Sequence, residues 1–243
     1  MLLATLLTLA LLQNAPCRGD AARHVEEAAR LAGSFDLIAV AEAYSAAARA
    51  GCASADTVSI YVRGLIAART AETQFGSAAS LQSVRQAITA LEAAAATDPV
   101  VRIMQAVLRA AIPAAQHERA EMALLIDEMV RRESLQLEAR LPAVPVLSAH
   151  EAAGYFWLQL HVYDEAARAF DVAAQRVGQT PFVLLGAARS AAGQQRIAAA
   201  CEQYRRLVSW WGSRPGSPPE MTEARVYVKQ PPCAAAVTPG LRR

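Results

Sequence analysis

Residues 148–177 read SAHEAAGYFWLQLHVYDEAARAFDVAAQRV and carry the strongest structural signal in the chain. Ser148 and Glu151 match the S-x-x-E pattern of a capping box, in which two side chains satisfy the free amides at a helix start. A helix is therefore predicted from Ser148 to about His161, and apolar residues at helical spacing predict a second helix over 163–177. Because only a short loop separates them, the two helices are expected to pack as an antiparallel hairpin.

Small and aromatic residues recur at fixed intervals in this hairpin. Gly154 is followed at three, twelve, sixteen and nineteen residues by Trp157, Ala166, Phe170 and Ala173. The same pattern begins again at Gly186, and Ala198 follows that glycine twelve residues later. A recurrence of about 34 residues is typical of proteins built from repeated helix pairs, and the interval between the two glycines is close to it.

These positions resemble a tetratricopeptide repeat (TPR), whose helix pair carries G-x-x-aromatic followed by A-x-x-x-F-x-x-A. The clear resemblance covers about Ser148 to Trp211. It implies that the glycine permits close approach of the two helices and that the alanines lie where the paired helices touch. It also implies that the aromatic ring fills the gap between successive hairpins.

Other positions depart from the family pattern. His150 and Ala153 stand where the family usually has tryptophan and leucine, and Gly178 stands where its proline is expected. In the second unit, the same spacing places Glu202 at the phenylalanine position. The earlier part of the chain keeps only the spacing of the A-x-x-x-F-x-x-A positions, which recurs in Val84, Ile88 and Leu91.

The composition favours helices over the whole chain. Fifty-six of the 243 residues are alanine, the strongest helix former, while glycine and proline supply only twelve residues each. The expected fold is all-α, an α-solenoid of antiparallel helix hairpins that forms a TPR-like right-handed superhelix with a C-terminal closing helix. Hairpins with apolar residues on more than one face bury themselves only by stacking on their neighbours.

Capping and turn residues divide the chain into segments. Gly33 is expected to end the first helix in a left-handed conformation, Asp56 and Ser80 to cap two later helices, and Pro113 to end another. The predicted organisation is a signal peptide over 1–16, degenerate helical hairpins over 17–134, a proline-containing linker over 135–147, TPR-like repeats over 148–211, a loop and closing helix over 212–230 and a disordered tail over 231–243.

The N-terminal segment predicts export. Its apolar run, Leu2 to Leu12, is too short to span a bilayer, which needs about 20 residues, but it fits the apolar region of a signal peptide. Cys17 also invites a lipoprotein interpretation, although Asn14, Ala15 and Pro16 form a poor lead-in to a lipid-modified cysteine. The expected location is periplasmic, with membrane attachment only through an N-terminal signal or anchor.

The four cysteines form no C-x-x-C pair, so zinc binding and thioredoxin-like chemistry are not expected. Antiparallel helices of the predicted lengths would bring Cys17 to Cys52, and Cys201 to Cys233. Two disulfides in an oxidising compartment are therefore one interpretation. Free buried thiols that act as small apolar residues are the other.

Charge and motifs argue against nucleic-acid binding and against catalysis. The net charge of +2 forms no basic stripe that could follow a phosphate backbone. The four histidines, His24, His117, His150 and His161, show no metal-ligand spacing, and no nucleophile motif or phosphate-binding loop is present. Neither an enzymatic activity nor a cofactor or metal is expected.

The resemblance implies that the first helix of each pair lines a concave groove that binds a protein or peptide. In this sequence the groove would present Glu151, Tyr155, Leu158 and Gln159. The alternative is that these side chains pack against the linker over 135–147.

The predicted function is an exported, non-catalytic scaffold for protein–protein interactions in the bacterial envelope. The alternatives are a lipid-anchored outer-membrane assembly factor and a helical accessory subunit of a cell-wall enzyme. The sequence does not identify the partner.

Ala166 tests the predicted helix contact. The substitution Ala166→Glu would place an unpaired charge between two packed helices, so we expect the free energy of unfolding to fall by several kcal/mol. Urea titration followed by circular dichroism measures this. A variant with the stability of the wild type would contradict the contact.

Overall fold

The computed structural model describes residues 17–74, 76–139, 144–212, 214 and 218–235, and this part of the chain contains helices and no strand. The all-α prediction is therefore confirmed for the described residues. In chain order the helices are α1 (Asp20–Leu31), α2 (Leu37–Arg49), α3 (Ala53–Thr73), α4 (Ala78–Ala95), α5 (Pro99–Ala115), α6 (Arg119–Glu138), α7 (Ala149–Gln159), α8 (Tyr163–Val177), α9 (Pro181–Gly193), α10 (Ile197–Trp211), α11 (Pro219–Lys229) and α12 (Pro231–Ala235).

The helices pack in the order in which they occur in the chain. Five successive pairs, from α1 with α2 to α9 with α10, make extensive contacts, and α11 and α12 pack on α10. The first helices of the later pairs also touch one another, α3 with α5, α5 with α7 and α7 with α9. These four helices form a continuous row, which we call the inner row.

The turns within the five pairs share a left-handed residue. These residues and their φ angles are Phe35 (62°), Gly76 (79°), His117 (59°), His161 (58°) and Gln195 (59°). The prediction that Gly33 would adopt this conformation is wrong. In the turn after α1, Phe35 adopts the left-handed conformation instead. Gly33 leaves space for the Trp210 ring, because a Cβ on Gly33 would lie 2.9 Å from that ring.

Four of the second helices bury side chains at the same positions, four, eight and eleven residues after the N-cap. None of these side chains is more than 5% exposed. They are Val40, Tyr44 and Ala47 in α2, Met122, Ile126 and Met129 in α6, Ala166, Phe170 and Ala173 in α8, and Ala200, Tyr204 and Leu207 in α10. The described hairpins are thus structurally repeat-like even where their sequences differ.

The assignment of Ala198 and Glu202 to the repeat positions of α10 is wrong. Ala198 and Glu202 are exposed, and Ala200 and Tyr204 take the corresponding buried places. The reason is length, because α9 is two residues longer than α7. Ala200 therefore follows Ala166 at the period of about 34 residues that is typical of such repeats, although the two glycines are separated by a shorter interval.

The Phe170 ring lies between two glycines. A Cβ at Gly154 in α7 would lie 2.6 Å from this ring, and a Cβ at Gly186 in α9 would lie closer still. The predicted roles of the glycines and of the aromatic residue agree with this packing. Trp157 is partly buried against the core, with the Arg119 guanidinium 6.0 Å from its ring centroid.

The first and last helix pairs touch each other. The ring of Phe35, in the turn between α1 and α2, lies 4.9 Å from the ring of Phe182 and stacks on that of Trp211 at 6.2 Å. Arg69 of α3 forms an ion pair with Glu220 of α11. In an open curved rod, the space beside the inner row would be accessible along its whole length. Here these contacts border that space on a further side.

Several predicted boundaries shift. The helix α6 continues through Glu138, so the beginning of the predicted linker over 135–147 is helical. The helix α5 continues through Pro113 to Ala115. The proline loses its own backbone bond and crowds the carbonyl four residues earlier, but it lies in the last turn of a helix that is buried along most of its length. The helices α3 and α4 begin before Asp56 and Ser80, which therefore do not cap them.

The predicted tail begins with a helix. Residues Pro231–Ala235 form α12, and Cys233 in this helix is bonded to Cys201, with 5.4 Å between their Cα atoms. The structure also joins Cys17 to Cys52, at a Cα distance of 5.3 Å, so both pairings expected from the helix lengths are present. The predicted signal peptide over 1–16 and residues 236–243 lie outside the described part.

No helix in the described part combines the length and the apolar character needed to cross a membrane.

Gly186 and Phe170 should be energetically coupled. Alanine normally stabilises a helix relative to glycine by about 1 kcal/mol. Because its Cβ would collide with the ring, we expect Gly186→Ala to destabilise the protein by about 2 kcal/mol instead. In a Phe170→Leu background, Gly186→Ala should lower the free energy of unfolding by about 1 kcal/mol less than it does in the wild type. Urea unfolding of the four proteins measures the coupling, and additive effects would contradict it.

Candidate functional site

The inner row lines a central cavity of ≈ 300 Å³. Every helix of the row contributes, and the cavity is bordered by the α1–α2 turn, by Val146 and Leu147 before α7, and by Glu220 of α11. Much of its wall is apolar and aromatic. This part of the wall includes Phe35, Leu65, Tyr155, Phe156, Phe182 and Leu185.

The four residues predicted to line a groove have different environments. Tyr155 and Gln159 line the cavity, and Leu158 is partly exposed outside it. Glu151 is only 3% exposed and lies in the capping box at the start of α7. The prediction that Glu151 faces a partner is therefore wrong, because the carboxylate that caps a buried helix start cannot also face solvent.

Tyr155 supports the cavity wall as well as lining it. Its hydroxyl donates a hydrogen bond of 2.8 Å to the Phe182 carbonyl, and its ring lies edge-on to Phe170 at 5.2 Å. Burial raises the pKa of the Tyr155 hydroxyl well above its usual value, so the hydroxyl remains a neutral donor. Removing this side chain would therefore disturb packing as well as the surface of the cavity.

Two arginines at the cavity have carboxylate partners. Arg69 pairs with Glu220, which is 4% exposed. Arg189 donates two hydrogen bonds, of 3.0 and 2.6 Å, to Glu223. Partial burial would raise the pKa of Glu223, but hydrogen bonding and the charge of Arg189 hold it below the usual value. Both arginine charges are therefore compensated within the protein.

Two polar groups of the cavity have no partner among the described residues. Glu72 lies in the last turn of α3 with an exposed side chain, and it forms neither a hydrogen bond nor an ion pair. The surrounding protein raises its pKa by desolvation, against the opposing charges of Arg69 and Arg189. The Nε2 atom of Gln159 is buried and makes no hydrogen bond.

A cluster of buried polar groups positions the inner-row helix α7. The Glu133 carboxylate on α6 accepts hydrogen bonds from the amides of Ala149 (2.8 Å) and His150 (3.2 Å), and it lies 2.6 Å from Nδ1 of His150. Thr180 donates to Glu151 at 2.7 Å. Sequence reasoning found the local capping box but not Glu133 or Thr180, because these partners lie on other elements of the chain.

The histidines lie away from the cavity. His150 is buried beside Glu133, and neither histidine nor cysteine contributes to the described cavity wall. Among the described residues, no group of three or more His, Cys, Asp or Glu side chains is placed to hold a metal ion.

No family model, curated protein or solved structure matches the chain. The TPR resemblance therefore depends on the residues and on the helix packing described above.

The buried carboxyl of Glu151 makes stability depend on pH. Burial raises its pKa above the ordinary value of 4.5, so the folded state holds this proton more tightly than the unfolded chain does. Its contribution to stability is present below pH 4.5 and is lost as the pH rises through the folded pKa. Glutamine can serve in the same capping box without ionising.

We therefore expect Glu151→Gln to be more stable than the wild type at pH 7, with a difference that shrinks towards pH 4. Thermal melts across this range measure the effect, with Glu202→Gln, at an exposed carboxylate on α10, as control. The prediction would be contradicted by an equal shift of the melting temperature in both variants, or by a Glu151→Gln variant that is less stable than the wild type at pH 7.

Proposed function

We propose that this chain is an exported, non-catalytic, TPR-like repeat protein that binds a partner protein in the bacterial envelope. In this proposal the hairpins form a superhelix whose two ends meet, and the central cavity is the recognition site. The observation that carries the proposal is the wall of the cavity. It is built from the inner row, which consists of the first helices of the repeat pairs, the same helices that line the groove in the family resemblance.

The size of the cavity favours a short segment of the partner. A volume of ≈ 300 Å³ is at the lower end of the range of ligand pockets, about 300–1,000 Å³. A helix with side chains has a diameter of about 10–12 Å and would not fit. One or two side chains of an extended segment would fit, with the aromatic wall around them.

The chemistry of the wall supports binding over catalysis. A nucleophile or general base must lie within hydrogen-bond reach of the reacting group. The described wall offers aromatic rings, arginines that are already paired with carboxylates and one unpaired carboxylate, Glu72, and neither histidine nor cysteine lines it. Such a surface is suited to holding an apolar group in one orientation.

Two disulfides support export, since such bonds persist in oxidising compartments such as the periplasm. The bond between Cys17 and Cys52 uses the sulfur atom that a lipid anchor at Cys17 would need. It therefore favours the form without that anchor over the lipid-anchored alternative.

Filling the cavity tests the proposal. Ala68 lines the cavity on α3, and Ala90 is an exposed alanine on α4. Purified wild type, Ala68→Phe and Ala90→Phe would be used as baits in cell-envelope extract, with captured proteins quantified by mass spectrometry. We expect one partner whose capture falls about tenfold with Ala68→Phe, a loss of about 1.4 kcal/mol, and is retained with Ala90→Phe.

Circular dichroism and thermal melts would establish that both variants fold. Capture of the same proteins at the same level by all three baits would overturn the cavity as the recognition site.

A further inference from the structure

The charged groups at the cavity are unequally matched. Four charged side chains line it, Arg69, Glu72, Arg189 and Glu220. Arg69 pairs with Glu220, and Arg189 pairs with Glu223 just outside the wall. Of these four, Glu72 alone has no ion-pair partner among the described residues, so the carboxylates at the cavity, with Glu223, exceed the two arginines by one.

The position of Glu72 does not help the fold. It lies in the last turn of α3, where the partial negative charge of the helix end disfavours a carboxylate. A cationic group bound at the mouth would pair with this carboxylate, whereas an anionic group would add to the repulsion.

The side-chain amide of Gln159 favours a ligand with a hydrogen-bond acceptor. Its buried Nε2 is a donor without a partner among the described residues, and leaving such a group unsatisfied is unfavourable. A ligand that fills the cavity therefore needs a hydrogen-bond acceptor near Gln159. The backbone carbonyl of an extended peptide supplies such an acceptor beside every side chain.

The cavity adjoins a surface groove of ≈ 260 Å³ along α2 and α3. The two share four lining residues, Phe35, Leu37, Arg69 and Thr73. The groove also carries Ile38, which is 61% exposed. A chain that leaves the cavity would therefore meet a second, partly apolar surface, which favours an elongated ligand over a compact one.

We propose that the cavity recognises an extended partner segment in which a bulky apolar side chain is followed by a basic one. The apolar side chain fills the aromatic space, a backbone carbonyl accepts from Gln159, and the basic group pairs with Glu72. The chain then continues along the groove beside Ile38. This inference rests on the proposed function, because it specifies which segment the cavity binds.

The test uses the purified chain with its disulfides intact and three fluorescein-labelled peptides, Gly-Ser-Leu-Arg-Ser-Gly, Gly-Ser-Leu-Glu-Ser-Gly and Gly-Ser-Ala-Arg-Ser-Gly. Fluorescence anisotropy measures each Kd. We expect the Leu-Arg peptide to bind about tenfold more tightly than either of the others, as one well-placed contact of about 1.4 kcal/mol would give. Raising the salt concentration should reduce the preference for arginine over glutamate.

Variants assign the contacts. Glu72→Gln should remove most of the preference for Leu-Arg over Leu-Glu, while Glu42→Gln, an exposed carboxylate on α2, should keep it. Gln159→Leu should weaken both leucine peptides equally, and Ala68→Phe should abolish binding.

Two results would overturn the inference. If the Leu-Arg and Leu-Glu peptides bind equally and both are lost in Ala68→Phe, the basic preference fails while the cavity remains a peptide site. If no peptide binds, the peptide ligand itself fails. The capture experiment with Ala68→Phe and Ala90→Phe then decides independently whether the proposed function fails with it.

Discussion

The Phe170 ring fixes the spacing of three helices. It occupies the space left by Gly154 on α7 and Gly186 on α9, where no Cβ can be accommodated without movement. Because protein interiors are close-packed, such a contact has little freedom to shift. The same ring meets Tyr155, whose hydroxyl bonds to the carbonyl of Phe182. A buried packing contact therefore sets the position of two side chains in the cavity wall.

The chain's first and last helix pairs meet beside the inner row. Phe35 packs between Phe182 and Trp211, and Arg69 reaches Glu220 across the central space. A row of helices that would present an open groove thus borders a cavity of ≈ 300 Å³. In the proposed function, this limited volume favours one or two side chains of a partner over a helix.

Most charged groups near the cavity already have a structural role. Glu133 satisfies the amides at the start of α7, and Glu151 completes the capping box there. Buried carboxylates are tolerated only when such hydrogen bonds compensate their lost hydration. Glu220 and Glu223 neutralise arginines. Glu72 has no ion-pair partner among the described residues, which is why the proposed ligand carries a basic group.

The sequence by itself determined most of the helices and the hairpin around Gly154, since capping and helical periodicity depend on neighbouring residues. For the cysteines it left two interpretations, the observed pairing and free thiols. It did not reveal that Phe35 adopts a left-handed conformation, because the equivalent turn residues differ in type. It also misplaced the repeat by choosing Ala198 instead of Ala200, since two extra residues in α9 shift the register. Only the tertiary structure decided that Glu151 is buried and that the ends meet, because these contacts join residues far apart in the chain, such as Arg69 and Glu220 at a separation of 151 positions.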